Sequence, residues 1–78
     1  MLKKRSVTLS GHATSVALEP EFWAALEQMA AQSGQTMTAL ICAIDAERQT
    51  ANLSSAARLA VLAWYQRQLA AGGTPPIS

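Results

Sequence analysis

The sequence predicts a mostly α fold: an N-terminal β segment, three helices behind it, and a second copy of the chain to complete the core. Three observations predict it. Residues 6–9 and 12–18 alternate apolar and polar side chains, as a half-buried strand does. Residues 21–31, 37–47 and about 55–71 repeat apolar side chains at helical spacing. The chain has only 78 residues, half of them hydrophobic and 14% charged. That is too apolar for a disordered segment, yet a domain of this size buries only about 60% of its unfolded surface. Ordering the chain costs on the order of 1.5 kcal/mol per residue, which nearly cancels the hydrophobic gain of so small a core. A disulfide, a metal or oligomerisation normally makes up the difference. Cys42 is the only cysteine and His12 the only histidine, so neither an intrachain disulfide nor a four-ligand zinc site is available. A homodimer remains.

Each element has local chemistry to match. Residues 1–5 form a basic arm through Lys3, Lys4 and Arg5. In residues 6–9, Val7 and Leu9 share one side. Ser10-Gly11 is a turn or bulge signal, so residues 6–18 form either a hairpin or one long bulged strand. Val16 and Leu18 face one way; Ala13, Ser15 and Ala17 face the other. Pro20 suits the first position of a helix, where its missing N–H is not needed. Glu19 and Glu21 favour the positive end of that helix's dipole. Phe22, Leu26, Met29 and Ala30 make its apolar stripe, widened by Trp23, and Gly34 ends it as a left-handed cap. Thr36 caps the second helix, whose stripe is Met37, Leu40, Ile41 and Ile44. Residues 50–52 break that helix, and Ser54 or Asn52 caps the third. The third helix is apolar over a wide arc, with Leu59, Leu62 and Leu69 on one side and Val61, Trp64 and Tyr65 on another. So broad a stripe implies two contact surfaces. Gly72-Gly73 stops it before a flexible tail. The domain is therefore residues 6–71, with residues 1–5 as arm, about 54–71 as C-terminal helix and 72–78 as tail.

Charge narrows the function. The net charge is +1, and three of the six basic residues lie in the first five positions. From residue 6 onward three arginines face five acids, a balance of −2. Attraction to phosphate is thus concentrated in the arm. No signal peptide is expected, because polar residues follow Lys3, Lys4 and Arg5 where an apolar run is required. No apolar run is long enough to span a bilayer, and a lone cysteine fits a reducing cytoplasm. No Ser-His-Asp set, paired carboxylates in a cleft or glycine-rich phosphate loop is present. The expectation is a cytoplasmic, non-enzymatic protein without cofactor or small-molecule substrate. Cys42 reads as a small packing residue; Trp23, Trp64 and Tyr65 read as core or dimer-interface aromatics.

The succession Ser15-Val16-Ala17-Leu18-Glu19-Pro20-Glu21-Phe22-Trp23, then Ser33-Gly34-Gln35-Thr36-Met37-Thr38-Ala39-Leu40-Ile41, resembles the ribbon-helix-helix family of DNA-binding proteins, the Arc/MetJ type. The flanking residues 4–9 and 52–56 look like a bacterial subfamily with an added C-terminal helix. The resemblance implies an intertwined homodimer with an antiparallel two-stranded intermolecular ribbon. Val16, Leu18, Phe22, Leu26, Leu40, Ile41 and Ile44 would form its shared core. Ala13, Ser15 and Ala17 would face bases in the major groove. Lys3, Lys4, Arg5 and His12 would meet phosphates, as would the amides of Thr36, Met37 and Thr38 at a helix N-terminus. Such a protein is a small transcriptional regulator. The outward Ala-Ser-Ala triplet departs from the Arg, Lys, Asn or Gln that base readout favours. That points to weak or shape-based DNA binding, or to a ribbon-helix-helix module that binds a protein instead, as an antitoxin does.

Overall fold

A computed structural model of the chain describes residues 1–48 and 51–71. In chain order it contains β1 (Lys3–Leu9), β2 (His12–Leu18), α1 (Pro20–Ser33), α2 (Met37–Glu47) and α3 (Leu53–Ala70). The turn organises the first two. Ser10 (φ 52°) and Gly11 (φ 82°) both have positive φ, the two-residue loop geometry that matches the twist of antiparallel strands. β1 and β2 consequently pair from Leu9 with His12 to Lys3 with Leu18. The two alternatives for residues 6–18 resolve as a hairpin. The strand before the first helix therefore has a partner within its own chain, β1, along one of its two edges. Residues 3–5, expected as a basic arm, are the first three residues of β1.

The helices begin and end where their sequence signals stand. Pro20 occupies the first turn of α1, and Gly34 (φ 69°) closes it. The Gln35 amide donates to the Ala30 carbonyl at 2.9 Å and the Gly34 amide to Ala31 at 3.3 Å, the paired bonds of a Schellman cap. At α2 the Ala39 amide donates to the Thr36 hydroxyl at 3.0 Å. Of the two candidate caps for α3 the structure selects Asn52, whose side-chain oxygen accepts from the Ser55 amide at 3.2 Å. That places the start of α3 at Leu53, slightly ahead of the expected one. Thr50, Gly72, Gly73 and the tail lie outside the described residues.

The three helices pack on one face of the hairpin. β1 lies over α2, β2 over α3, and α1 packs against both other helices. Val16, Leu18, Leu26 and Ile41 are fully buried, and Leu40 and Ile44 are buried with them. Ala56, Ala57 and Val61 of α3 close this core. Six of the seven residues expected in a shared dimer core are thus covered within a single chain. Phe22 is half-buried beneath the Arg58 guanidinium, 5.7 Å from its ring centre. Among the described residues no helix is long and apolar enough to cross a membrane.

Candidate nucleic-acid interface

Cross-strand partners point to the same side of a sheet, so the register sorts every hairpin side chain. Val7, Leu9, Val16 and Leu18 point at the helices and are buried. The opposite face carries Lys4 beside Ala17, Ser6 beside Ser15, and Thr8 beside Ala13. All of these are exposed except Ala17, which is half-exposed. Among the described residues no helix covers this face. It is low and even: three alanine or hydroxyl side chains from β2, two hydroxyls and one lysine from β1. The expected base-facing set, Ala13, Ser15 and Ala17, is brought together there. Ser6, Thr8 and Lys4 join it from β1, a contribution hidden from sequence because it depends on hairpin pairing.

The three cations of the N-terminal stretch separate. Lys4 points outward with the β2 triplet. Lys3 and Arg5 have Leu18 and Val16 as partners and so belong to the helix side, at its exposed end. Arg5 is engaged there: its guanidinium lies 4.8 Å from the centre of the Trp23 ring and 3.5 Å from the Glu27 carboxylate. Both partners of that ion pair are about half exposed, so it contributes little stability, but it turns the guanidinium away from the outward face. Trp23 is held as well, its indole N–H donating to the Lys3 carbonyl at 2.9 Å. A buried indole needs such an acceptor. Trp23 is therefore a core residue of the single chain that anchors the start of β1.

His12 is the first residue of β2, exposed, and shares the parity of Val16 and Leu18. It borders an open groove with Leu9, Thr14, Ser15, Asp45 and Arg48. Thr36 is fixed as the cap of α2. The amides of Met37 and Thr38 lie in the first turn, where no carbonyl precedes them to accept a helical bond.

Two further arrangements lie away from the hairpin, the first of them not legible in the sequence. The Arg58 guanidinium of α3 bonds the Glu19 carboxylate at 2.9–3.0 Å, joining α3 to the start of α1. A bond to its own backbone amide, and then the bond from Arg58, hold the Glu19 carboxyl below its ordinary range. The other is the far side of α3. Leu59, Leu62, Tyr65 and Leu69 are each about half exposed, while Leu53, Ala60 and Trp64 pack toward the core. Cys42 is half-buried, its thiol 3.8 Å from the Thr8 carbonyl. Among the described residues no cluster of His, Cys, Asp or Glu is arranged to hold a metal ion.

Comparison with known proteins adds the following. The family model of the ribbon-helix-helix domain matches residues 2–65. No curated protein matches the chain. Among solved structures it is similar to an uncharacterized protein from Bordetella pertussis Tohama I, with 37% identity and a TM-score of 0.73 over 97% of this chain. The chain spans 64% of the length of that protein.

Proposed function

Since the chain belongs to the ribbon-helix-helix family, we propose that it is a homodimeric DNA-binding protein, a small transcriptional regulator whose hairpin lies in the major groove. One observation carries this reading: the outward hairpin face is exposed, uncovered by any described helix and, Lys4 apart, built of side chains short enough to let the backbone approach DNA. Two strands lie about 4.8 Å apart, and the major groove is about 12 Å wide, so a β-ribbon enters it broad face first.

The chemistry of that face sets the character of the binding. Ser15 can exchange one hydrogen bond with a base edge, and the methyls of Ala13 and Ala17 can touch thymine methyls. None of these makes the bidentate contact that is worth about 1–3 kcal/mol of discrimination. Lys4, Lys3 and the first-turn amides of α2 supply phosphate contacts, which position without reading sequence. Arg5 is tied to Trp23 and Glu27 and contributes less than its charge suggests. The result is a binder with modest sequence preference and a clear dependence on salt. Selection from random duplex DNA at two salt concentrations tests it. Enrichment of a short, degenerate site, with affinity falling as salt rises, is the expected result; no retained DNA at the lower salt would overturn the reading.

A second reading has its own observation. The outer side of α3 presents Leu59, Leu62, Tyr65 and Leu69, an apolar stripe of the kind that marks protein interaction sites. A stoichiometric protein partner displaced by Leu62→Glu, in a preparation without DNA affinity, would favour an interaction module over a regulator.

A further inference from the structure

Three ion pairs among the described residues are built differently. Arg58 holds Glu19 through two of its nitrogens, at 2.9 and 3.0 Å. Arg48 holds Asp45, three residues away on the same stretch of chain, at 2.8 Å. Arg5 reaches Glu27 with one nitrogen only, at 3.5 Å, and the two side chains are 44% and 58% exposed. This is the loosest pair of the three, and a pair so exposed is weak and readily exchanged. The other guanidinium nitrogens of Arg5 bond no protein acceptor among the described residues. What keeps the group in place is a fixed shelf. The Trp23 ring centre lies 4.8 Å from the guanidinium carbon, and the ring is itself anchored by its bond to the Lys3 carbonyl.

The surroundings of Glu27 have the opposite sign. An open groove of about 320 Å³ lies between the start of β1 and α1, lined by Lys3, Lys4, Arg5, Trp23 and Glu27. Glu27 is the one acid there against three cations. A groove with that balance attracts an anion, and a carboxylate of the protein already stands in it. Lys4 belongs both to this groove and to the outward hairpin face, so the two adjoin.

We infer that this groove is a phosphate site closed by its own side chain: Glu27 takes the place of the phosphate in the free protein, and a backbone phosphate displaces it from Arg5 when the outward face meets DNA. This rests on the DNA-binding reading. For Arg5 the exchange is favourable, because a phosphate accepts two parallel N–H bonds where Glu27 accepts one. For Glu27 it is unfavourable, because its carboxylate is left beside a phosphate without its partner. Glu27 therefore lowers affinity for every duplex, and Arg5 is released only where a phosphate comes within bonding distance. Contacts of this kind position a protein without reading sequence. The effect falls on affinity and salt dependence and leaves the preferred site unchanged.

The test is a double-mutant cycle on the full chain, reading affinity for one labelled duplex across a series of salt concentrations. Glu27→Gln should tighten binding at low salt by at least about threefold when Arg5 is present. With Arg5→Gln in place, the gain from Glu27→Gln should shrink to the gain from lost repulsion alone. On the Glu27→Gln background, Arg5→Gln should lower the salt slope by about 2, one phosphate contact for each copy of the proposed homodimer. Glu21→Gln removes the same charge from the same helix away from Arg5, and its gain should be equal with and without Arg5. A second readout follows the guanidinium itself. Trp64→Phe leaves Trp23 as the only tryptophan, and its emission should change on adding duplex with Arg5 present and not with Arg5→Gln. No gain from Glu27→Gln, an equal gain with and without Arg5, or the same emission change in both would overturn the exchange and spare the regulator reading. Absence of DNA affinity in every variant would refute the regulator reading and the exchange with it.

Discussion

Gly11 is the residue on which the hairpin most depends. Its φ of +82° lies where a side chain is strained, and a Cβ placed there would meet nothing within 4 Å. Gly11→Ala should therefore cost about 1–2 kcal/mol from backbone strain alone, read as a lower midpoint in urea with an unchanged slope. A neutral result would mean that the loop is not held in this conformation. The residues whose roles were legible in the sequence act through near neighbours. Gly34 and Thr36 bond backbone groups within five residues of themselves, and Ser10-Gly11 shapes only its own loop. Arg5 with Trp23 and Glu27, and Glu19 with Arg58, were not legible, because such pairs span 18 to 39 residues and exist only once the helices are placed. The separation of Lys4 from Lys3 and Arg5 was hidden for the same reason. Charge in a run says nothing about which side of a strand each residue takes.

At the scale of elements, α2 was legible to its ends, because a capping threonine and a clean apolar stripe mark it. β1 was legible only from Ser6 to Leu9, where alternation is visible. Lys3, Lys4 and Arg5 lack an alternating pattern and read as an arm, but the loop fixes the register: a seven-residue β2 draws seven residues of β1 alongside it. The width of the α3 stripe was legible, and the structure explains it as two opposed faces, one closing the core and one exposed. These faces should respond differently to truncation. Leu26→Ala opens a cavity under the sheet and should cost about 2–5 kcal/mol. Leu62→Ala, in the single chain, removes a side chain that is already 53% exposed and should shift stability by less than about 1 kcal/mol. Urea unfolding of both variants makes the comparison. Equal losses would mean that the outer face of α3 is covered in solution, which is what the protein-interaction reading requires.

At the scale of the molecule, the strand expected to need a second chain has its partner in β1, and α3 supplies cover that was expected from a second copy. In the proposed homodimer, association would then serve DNA recognition rather than complete a core. The outward hairpin face, with Ser15 at its centre and a single lysine at its margin, is the surface that the proposed function assigns to DNA. A negative charge at that centre opposes the phosphates on both sides of the groove, so one substitution tests the claim. Fluorescence anisotropy of a labelled duplex at low salt should show binding by the unaltered chain and at least about a tenfold loss for Ser15→Glu, with Leu62→Glu binding as before. Equal DNA affinity in the Ser15→Glu variant and the unaltered chain would contradict the account.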